Sequence, residues 1–318
     1  MTLAQNFVQN YALIFPGQGS QAVGMGKSIA DEFPEAKSIF DEVDEALGEK
    51  LSSVIFDGPI EELTLTSNAQ PALMAVSLAV LRAMEARGLN VGDAKYVAGH
   101  SLGEYSALAA SGAISVADTA RLLRIRGDAM QQAVPVGMGA MAAIIGLEAD
   151  ILSELCSKFT TNDVSAQIAN DNGGGQLVIS GHKQAIDQVC EAAKEAGARR
   201  ALLLPVSAPF HSSLMQPAAE VMRDALENVK INEPCVPLIA NVLAAPVDNP
   251  VEIRAHLVEQ VTGQVRWSET ITYMASQGIE GLLEIGAGKV LTGLARRIDK
   301  SLVGKPVNTP ADIDALLG

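Results

Sequence analysis

Gly99-His100-Ser101-Leu102-Gly103 fits the pattern G-x-S-x-G. That pattern suits nucleophilic chemistry, because a serine on a tight strand-to-helix turn stands clear of its neighbours. The flanking glycines allow close backbone approach. The N–H groups of the following helix can steady a developing oxyanion. A plain turn with a serine helix cap explains the same five residues. The motif alone leaves both readings open.

A nucleophilic serine needs a base. The chain has four histidines. His100 lies inside the motif and is expected to point away. His182 opens a helix, where capping or a surface role suffices. His256 lies in VEIRAHLVEQV, a helical stretch, and reads as a solvated or packing residue. His211, in VSAPFHSSLM, follows the last strand of a middle segment, where the chain returns to the rest of the fold. Loops at such junctions line clefts, so His211 is the expected base. No acidic residue stands out as its partner, and a backbone carbonyl can orient an imidazole as well.

Arg126 is the third candidate. Leu122, Ala129 and Met130 lie at −4, +3 and +4 from it, which places Arg126 on the apolar face of a helix. A buried guanidinium requires an anion. That anion is either an internal carboxylate or the carboxylate of a substrate, held bidentately. The PGQGSQ loop (16–21) offers a rival function. Gly17-x-Gly19-x-x-Ala22 fits a loose dinucleotide fingerprint. The second strand ending in an acidic residue that this requires is missing, because residues 31–48 read as a charged helix. The loop can equally donate a backbone N–H to an oxyanion, alongside Leu102.

These residues must be held by elements, and the pattern supplies them. YALIF (11–15), KYVAG (95–99) and GLLEIG (281–286) read as strands. Helices are expected at 77–88 and 115–133, the latter opened by Ser115 with Asp118 three residues on. Such alternation predicts an α/β core with a largely parallel sheet. The middle differs. Strands at 139–146, 164–171, 176–181 and 199–206 and helices at 148–159 and 183–197 run in the order βαββαβ, a ferredoxin-like pattern. Residues 137–206 are therefore expected to form an inserted subdomain, with 1–136 and 207–318 as the core.

Composition narrows the classes. The 318 residues are 48% apolar with a net charge of −14. That charge argues against nucleic acid as a partner. No apolar run is long enough for a membrane span. The N-terminal stretch lacks a signal-peptide pattern, so the expected location is the cytoplasm. Three scattered cysteines carry no metal or disulfide spacing. An acidic partner would need a local basic patch. Arg121, Arg124 and Arg126 form one candidate, Arg199 with Arg200 a second, and Arg296, Arg297 and Lys300 a third.

Taken in order, FPGQGSQ, GHSLGEYSAL, RIRG, PFHSSLM, QVTGQVRW and EIGAGKVLTGL resemble the malonyl-CoA:acyl carrier protein transacylases and the related polyketide acyltransferase domains. The resemblance spans about residues 11–298. It implies an α/β-hydrolase-like core with an inserted ferredoxin-like subdomain. It also implies ping-pong transfer of malonyl from malonyl-CoA to the thiol of an acyl carrier protein in fatty-acid synthesis, with no metal and no bound cofactor. The family's roles fall on Ser101 as nucleophile, His211 as base and Arg126 as the malonate-binding arginine. Gln18 and Leu102 become the oxyanion donors through backbone N–H, and Gln260 orients the histidine through its carbonyl. Phe210 departs from the serine found before the histidine in many stand-alone members. In polyketide acyltransferases phenylalanine there accompanies malonyl over methylmalonyl. The alternatives are a polyketide-type acyltransferase on another carrier protein, a serine hydrolase that releases the acyl group to water, and a non-catalytic nucleotide-binding module.

Overall fold

The computed structural model describes residues 7–206 and 208–318. Two sheets organise it. The larger has strand order β10-β9-β1-β2-β7-β8. Its strands are β1 (Tyr11–Phe15), β2 (Tyr96–Gly99), β7 (Leu238–Ala240), β8 (Ala245–Val247), β9 (Gly281–Ile285) and β10 (Val303–Val307). All neighbours pair parallel except β8, which returns antiparallel on β7. β1 shows why this sheet is covered on both sides. Leu13 and Phe15 pack into one apolar cluster, with the long buried helix Thr66–Ala86. Ala12 and Ile14 pack into another, against Trp267 and Leu294. A continuous apolar run is what a parallel strand buried on both faces requires.

The smaller sheet has the order β4-β5-β3-β6, with all pairs antiparallel. Its strands are β3 (Gly139–Ile145), β4 (Ala166–Asp171), β5 (Gln176–His182) and β6 (Arg200–Leu203). Helices Ala149–Lys158 and Lys183–Glu195 bury Leu152, Cys156, Ile186 and Val189 into a core of its own. This is the expected α/β-hydrolase-like core plus ferredoxin-like unit.

Several sequence expectations need adjusting. The helix read across 31–48 is two helices, Lys27–Glu32 and Pro34–Leu47. The residue before a proline is driven to extended backbone, and Phe33 sits at φ −115°, ψ 109°. The helix expected at 77–88 starts eleven residues earlier, at Thr66, with Pro71 in its second turn. Strands β7, β8 and β10 escaped the pattern reading because they are short or, in β10, carry glycine, lysine and proline at the sheet edge. The N-terminal stretch read for targeting lies partly outside the described residues. No described helix is long and apolar enough to cross a membrane.

Candidate active site

The site forms beyond the C-terminal ends of the parallel strands, where open α/β sheets bind ligands. β2 ends at Gly99, and helix Gly103–Ala110 starts four residues later. A Cβ on Gly99 would lie 1.9 Å from the Gly103 carbonyl carbon, and one on Gly103 would lie 2.3 Å from Phe15 O. Only glycine fits at either place. Between them Ser101 is forced to φ 54°, the left-handed region that costs a side chain about 1–3 kcal/mol. The surroundings hold that strain. Ser101 N–H donates to Asn241 Oδ1 at 2.8 Å, and Asn241 Nδ2 donates to Gly99 O at 2.7 Å. Asn241 directly follows β7, so the neighbouring strand clamps the elbow.

His211 faces the serine. Its Nε2 lies 2.8 Å from Ser101 Oγ. Its Nδ1 lies 2.9 Å from Gln260 O and 3.1 Å from Gly263 O. Two carbonyls can only accept, so Nδ1 carries the proton and bare Nε2 accepts from the serine hydroxyl. Burial, with the Arg126 charge nearby, pushes the imidazole pKa down to about 3. The ring is therefore a neutral base throughout the physiological range. His211 itself sits at φ 55°. Gln167, on β4 of the smaller sheet, fastens its loop. Gln167 Nε2 donates to His211 O and Thr262 O, and Gln167 Oε1 accepts from Ser213 N–H. The two subdomains thus hold the base jointly.

Arg126 is 1% exposed. Its helix neighbours Arg121 and Arg124 pair with Asp118 and Glu49. Arg126 has neutral partners instead. Nη1 donates to Gln70 Oε1 at 2.7 Å, and Nη2 donates to Gln260 Oε1 at 2.8 Å and to Ser101 Oγ at 3.2 Å. A buried cation beside the serine oxygen, with no anion bonded to it, can receive an anionic ligand. It also favours the alkoxide form of the serine. The three groups open into a cavity of about 430 Å³.

A serine–histidine pair oriented by carbonyls, on an elbow and beside a cavity-facing arginine, is an arrangement that can carry out acyl transfer and can take an acid. The acyl transferase domain family matches residues 12–308. The chain belongs to the acyl transferase family. The malonyl CoA-acyl carrier protein transacylase of Bacillus subtilis (strain 168) is similar at 46% identity over 303 residues, 95% of each chain. That of Escherichia coli (strain K12) is 45% identical over 308 residues, 96% of this chain and 98% of its own. Among solved structures, the acyl-carrier-protein-S-malonyltransferase from Bartonella henselae superposes with a TM-score of 0.95 at 58% identity, covering 97% of this chain and 98% of that one. A malonyl-transacylase solved in complex with a type II PKS acyl-carrier protein superposes with a TM-score of 0.93 at 41% identity, covering 97% and 99%.

In this acyltransferase the residues singled out from sequence converge. Ser101, His211, Arg126, Gln18, Leu102 and Phe210 all line the one cavity. Gln260 lies behind it, fully buried, and meets His211 through its carbonyl. Gly103 and Glu104 N–H are committed to His100 O and Ser101 O within the turn. Phe210 is 9% exposed, beside the base. His182 caps no backbone N–H of its helix; its Nδ1 accepts from Ser165 N–H at 3.0 Å. His256 pairs with Glu259 on the surface.

One expectation was wrong. His100 does not turn away: it lines the cavity, bonds Asn172 Oδ1 through Nε2 at 2.8 Å, and packs near Trp267. Its burial lowers its pKa, so it is neutral there. Other residues went unread. Asn241 and Gln70 sit in stretches without a local motif. Glu104 was visible inside GHSLGEYSAL, and a carboxylate two residues into an apolar helix was a signal in itself. No group of His, Cys, Asp and Glu able to hold a metal occurs among the described residues.

Proposed function

We infer that the chain transfers malonyl from malonyl-CoA to the phosphopantetheine thiol of an acyl carrier protein, through a malonyl-serine intermediate, in fatty-acid synthesis. The single observation that carries this reading is Arg126, a buried cation with neutral partners only, 3.2 Å from the nucleophilic oxygen. A simple esterase has no use for it.

The contacts of Ser101, His211 and Arg126 support the following steps. The malonyl carboxylate takes the fork of Arg126, which orients the thioester carbonyl towards Ser101. His211 Nε2 accepts the Ser101 proton as Oγ attacks that carbonyl, and the carbonyl oxygen becomes the oxyanion. Backbone N–H groups of Gln18 and Leu102 hold that oxyanion. The imidazolium that forms is steadied by the carbonyls of Gln260 and Gly263, and it gives its proton to the departing CoA thiolate. The carrier-protein thiol then repeats the sequence in reverse, and malonyl leaves on its sulfur. Phe210 lines the cavity next to His211 in the chain, and on this reading its ring excludes an α-methyl group and selects malonyl. The chemistry uses no bound cofactor and takes place in the cytoplasm. Residues 1–136 and 207–318 form the catalytic core, and 137–206 the insert.

The carrier is acidic by this reading, and the Arg297 cluster reaches the cavity lining through Gln176. Arg199 packs against Gly146 and Arg297 against Gly174. Arg297 also donates to Gln176 Oε1, and Gln176 lines the cavity. The Arg121–Arg126 cluster forms no such patch, since its members are paired or buried.

The test is a chase. Protein loaded with labelled malonyl is mixed with phosphopantetheinylated carrier protein. The label moves to the carrier thiol. Release of free malonate at a matching rate without carrier would instead make the protein a hydrolase.

A further inference from the structure

Glu104 is the one buried carboxylate in the catalytic network, and the acyl-transfer steps leave it without a task. It is 1% exposed. Its Oε2 accepts from Gln260 Nε2 at 2.7 Å and from Asn241 N–H at 3.2 Å. Its Oε1 is buried with no hydrogen-bond partner. Gln260 connects it to the arginine, because Gln260 Oε1 accepts from Arg126 Nη2 while Gln260 Nε2 donates to Glu104 and to Ser101 O. One amide therefore joins a buried cation, a buried carboxylate and the backbone of the nucleophile.

We propose that Glu104 is the internal counter-charge of Arg126 in the empty site and that it takes up a proton when the malonyl carboxylate binds. This rests on the reading that Arg126 receives that carboxylate.

The argument is charge balance in a buried space. Ionised Glu104 and Arg126 sum to zero across the Gln260 amide, and a buried charge is tolerable only when compensated. The incoming malonyl carboxylate brings a second negative charge against the same cation. A like charge nearby disfavours the ionised form, and Glu104 is the acid free to respond. Its Oε1 holds no donor, so a proton there displaces no existing hydrogen bond. The charged group acting on Glu104 is Arg126, from helix Val116–Gln132; Tyr105 adjoins on its own helix, and His211 stands across Ser101. Tyr105 stays protonated, its hydroxyl raised by burial, and His211 stays neutral. Burial already lifts Glu104 to about 7, against the pull of Gln260, Asn241 and Arg126, so proton uptake falls within reach of neutral pH. The step balances: solvent supplies one proton to Glu104, and no covalent bond in the substrate changes. Glu104 is a positioning residue, acting on the substrate through Gln260 and Arg126.

Calorimetric titration of malonyl-CoA into Ser101→Ala protein tests this, at slightly alkaline pH in buffers of different ionisation heat. Binding should take up close to one proton per site, and acetyl-CoA, which shares the CoA phosphates, should take up none. Glu104→Gln in the same background should bind malonyl-CoA with the uptake gone. Difference infrared spectroscopy with ¹³C-malonyl-CoA gives a second readout without altering Glu104. A protonated-acid carbonyl band that ignores the label should appear on binding. Malonyl-CoA binding without proton exchange, uptake that survives Glu104→Gln, or absence of that band overturns the proposal. Failure of the underlying reading looks different: Arg126→Ala would then bind malonyl-CoA as tightly as the parent.

Discussion

Arg126→Ala separates substrate recognition from structure. In the parent the guanidinium is 1% exposed and bonded to neutral oxygens, and on the proposed reading its charge meets the malonyl carboxylate. Removing it leaves that carboxylate buried and unpaired, a loss of about 3–5 kcal/mol for breaking one side of a buried pair. At about 1.4 kcal/mol per decade this is roughly a 10²- to 10⁴-fold loss in kcat/KM for malonyl-CoA. Arg126 also bonds Gln260, whose carbonyl holds His211. Loosening that contact would slow every substrate alike. The informative quantity is therefore the ratio of kcat/KM for malonyl-CoA to that for acetyl-CoA. It should collapse by two to four decades, because acetyl transfer loses only what the loosened Gln260 contact costs. An equal loss for both acyl groups would refute the reasoning and make Arg126 a structural residue.

Three further perturbations probe the framework. His211 is lowered to about 3 from the usual 6.5, so its contribution to stability is full above 6.5 and is lost as pH falls towards 3; Glu104 is raised to about 7 from 4.5, so its contribution is full below 4.5 and is lost as pH rises through 7. Between about pH 4.5 and 6.5 the two slopes oppose. Urea unfolding should find Glu104→Gln gaining stability with rising pH, by up to about 1.4 kcal/mol per unit, and His211→Gln losing it; parallel profiles in the two variants would count against both assignments. Gly99→Ala forces a Cβ into the Gly103 backbone and should cost about 1–3 kcal/mol or more, seen as a lower thermal midpoint with little activity left. Asn241→Ala removes the clamp on Ser101 N–H and Gly99 O and leaves both buried, about 1–3 kcal/mol for each group; acylation should slow while malonyl-CoA still binds.

The parts of the fold legible in the sequence were those governed by local rules. A buried parallel strand such as Tyr11–Phe15 writes itself as an apolar run, and the βαββαβ order of 139–203 shows as alternating periods. The glycines around Ser101 announced a close approach that the backbone confirms. Arg126 was legible because helical spacing alone exposes a charge on an apolar face. What stayed hidden depends on long-range pairing. Asn241 reaches Ser101 across 140 positions and Gln167 reaches His211 across 44, and no local pattern encodes either. His100 was misjudged for a related reason. Its direction is set by Asn172, contributed by the insert, and not by its neighbours in the motif.

The most direct measurement is peptide-mapped mass spectrometry after brief exposure to malonyl-CoA. A malonyl adduct on the peptide carrying Ser101, absent in Ser101→Ala, is the predicted result. An adduct at another residue, or one that persists in Ser101→Ala, would contradict the account.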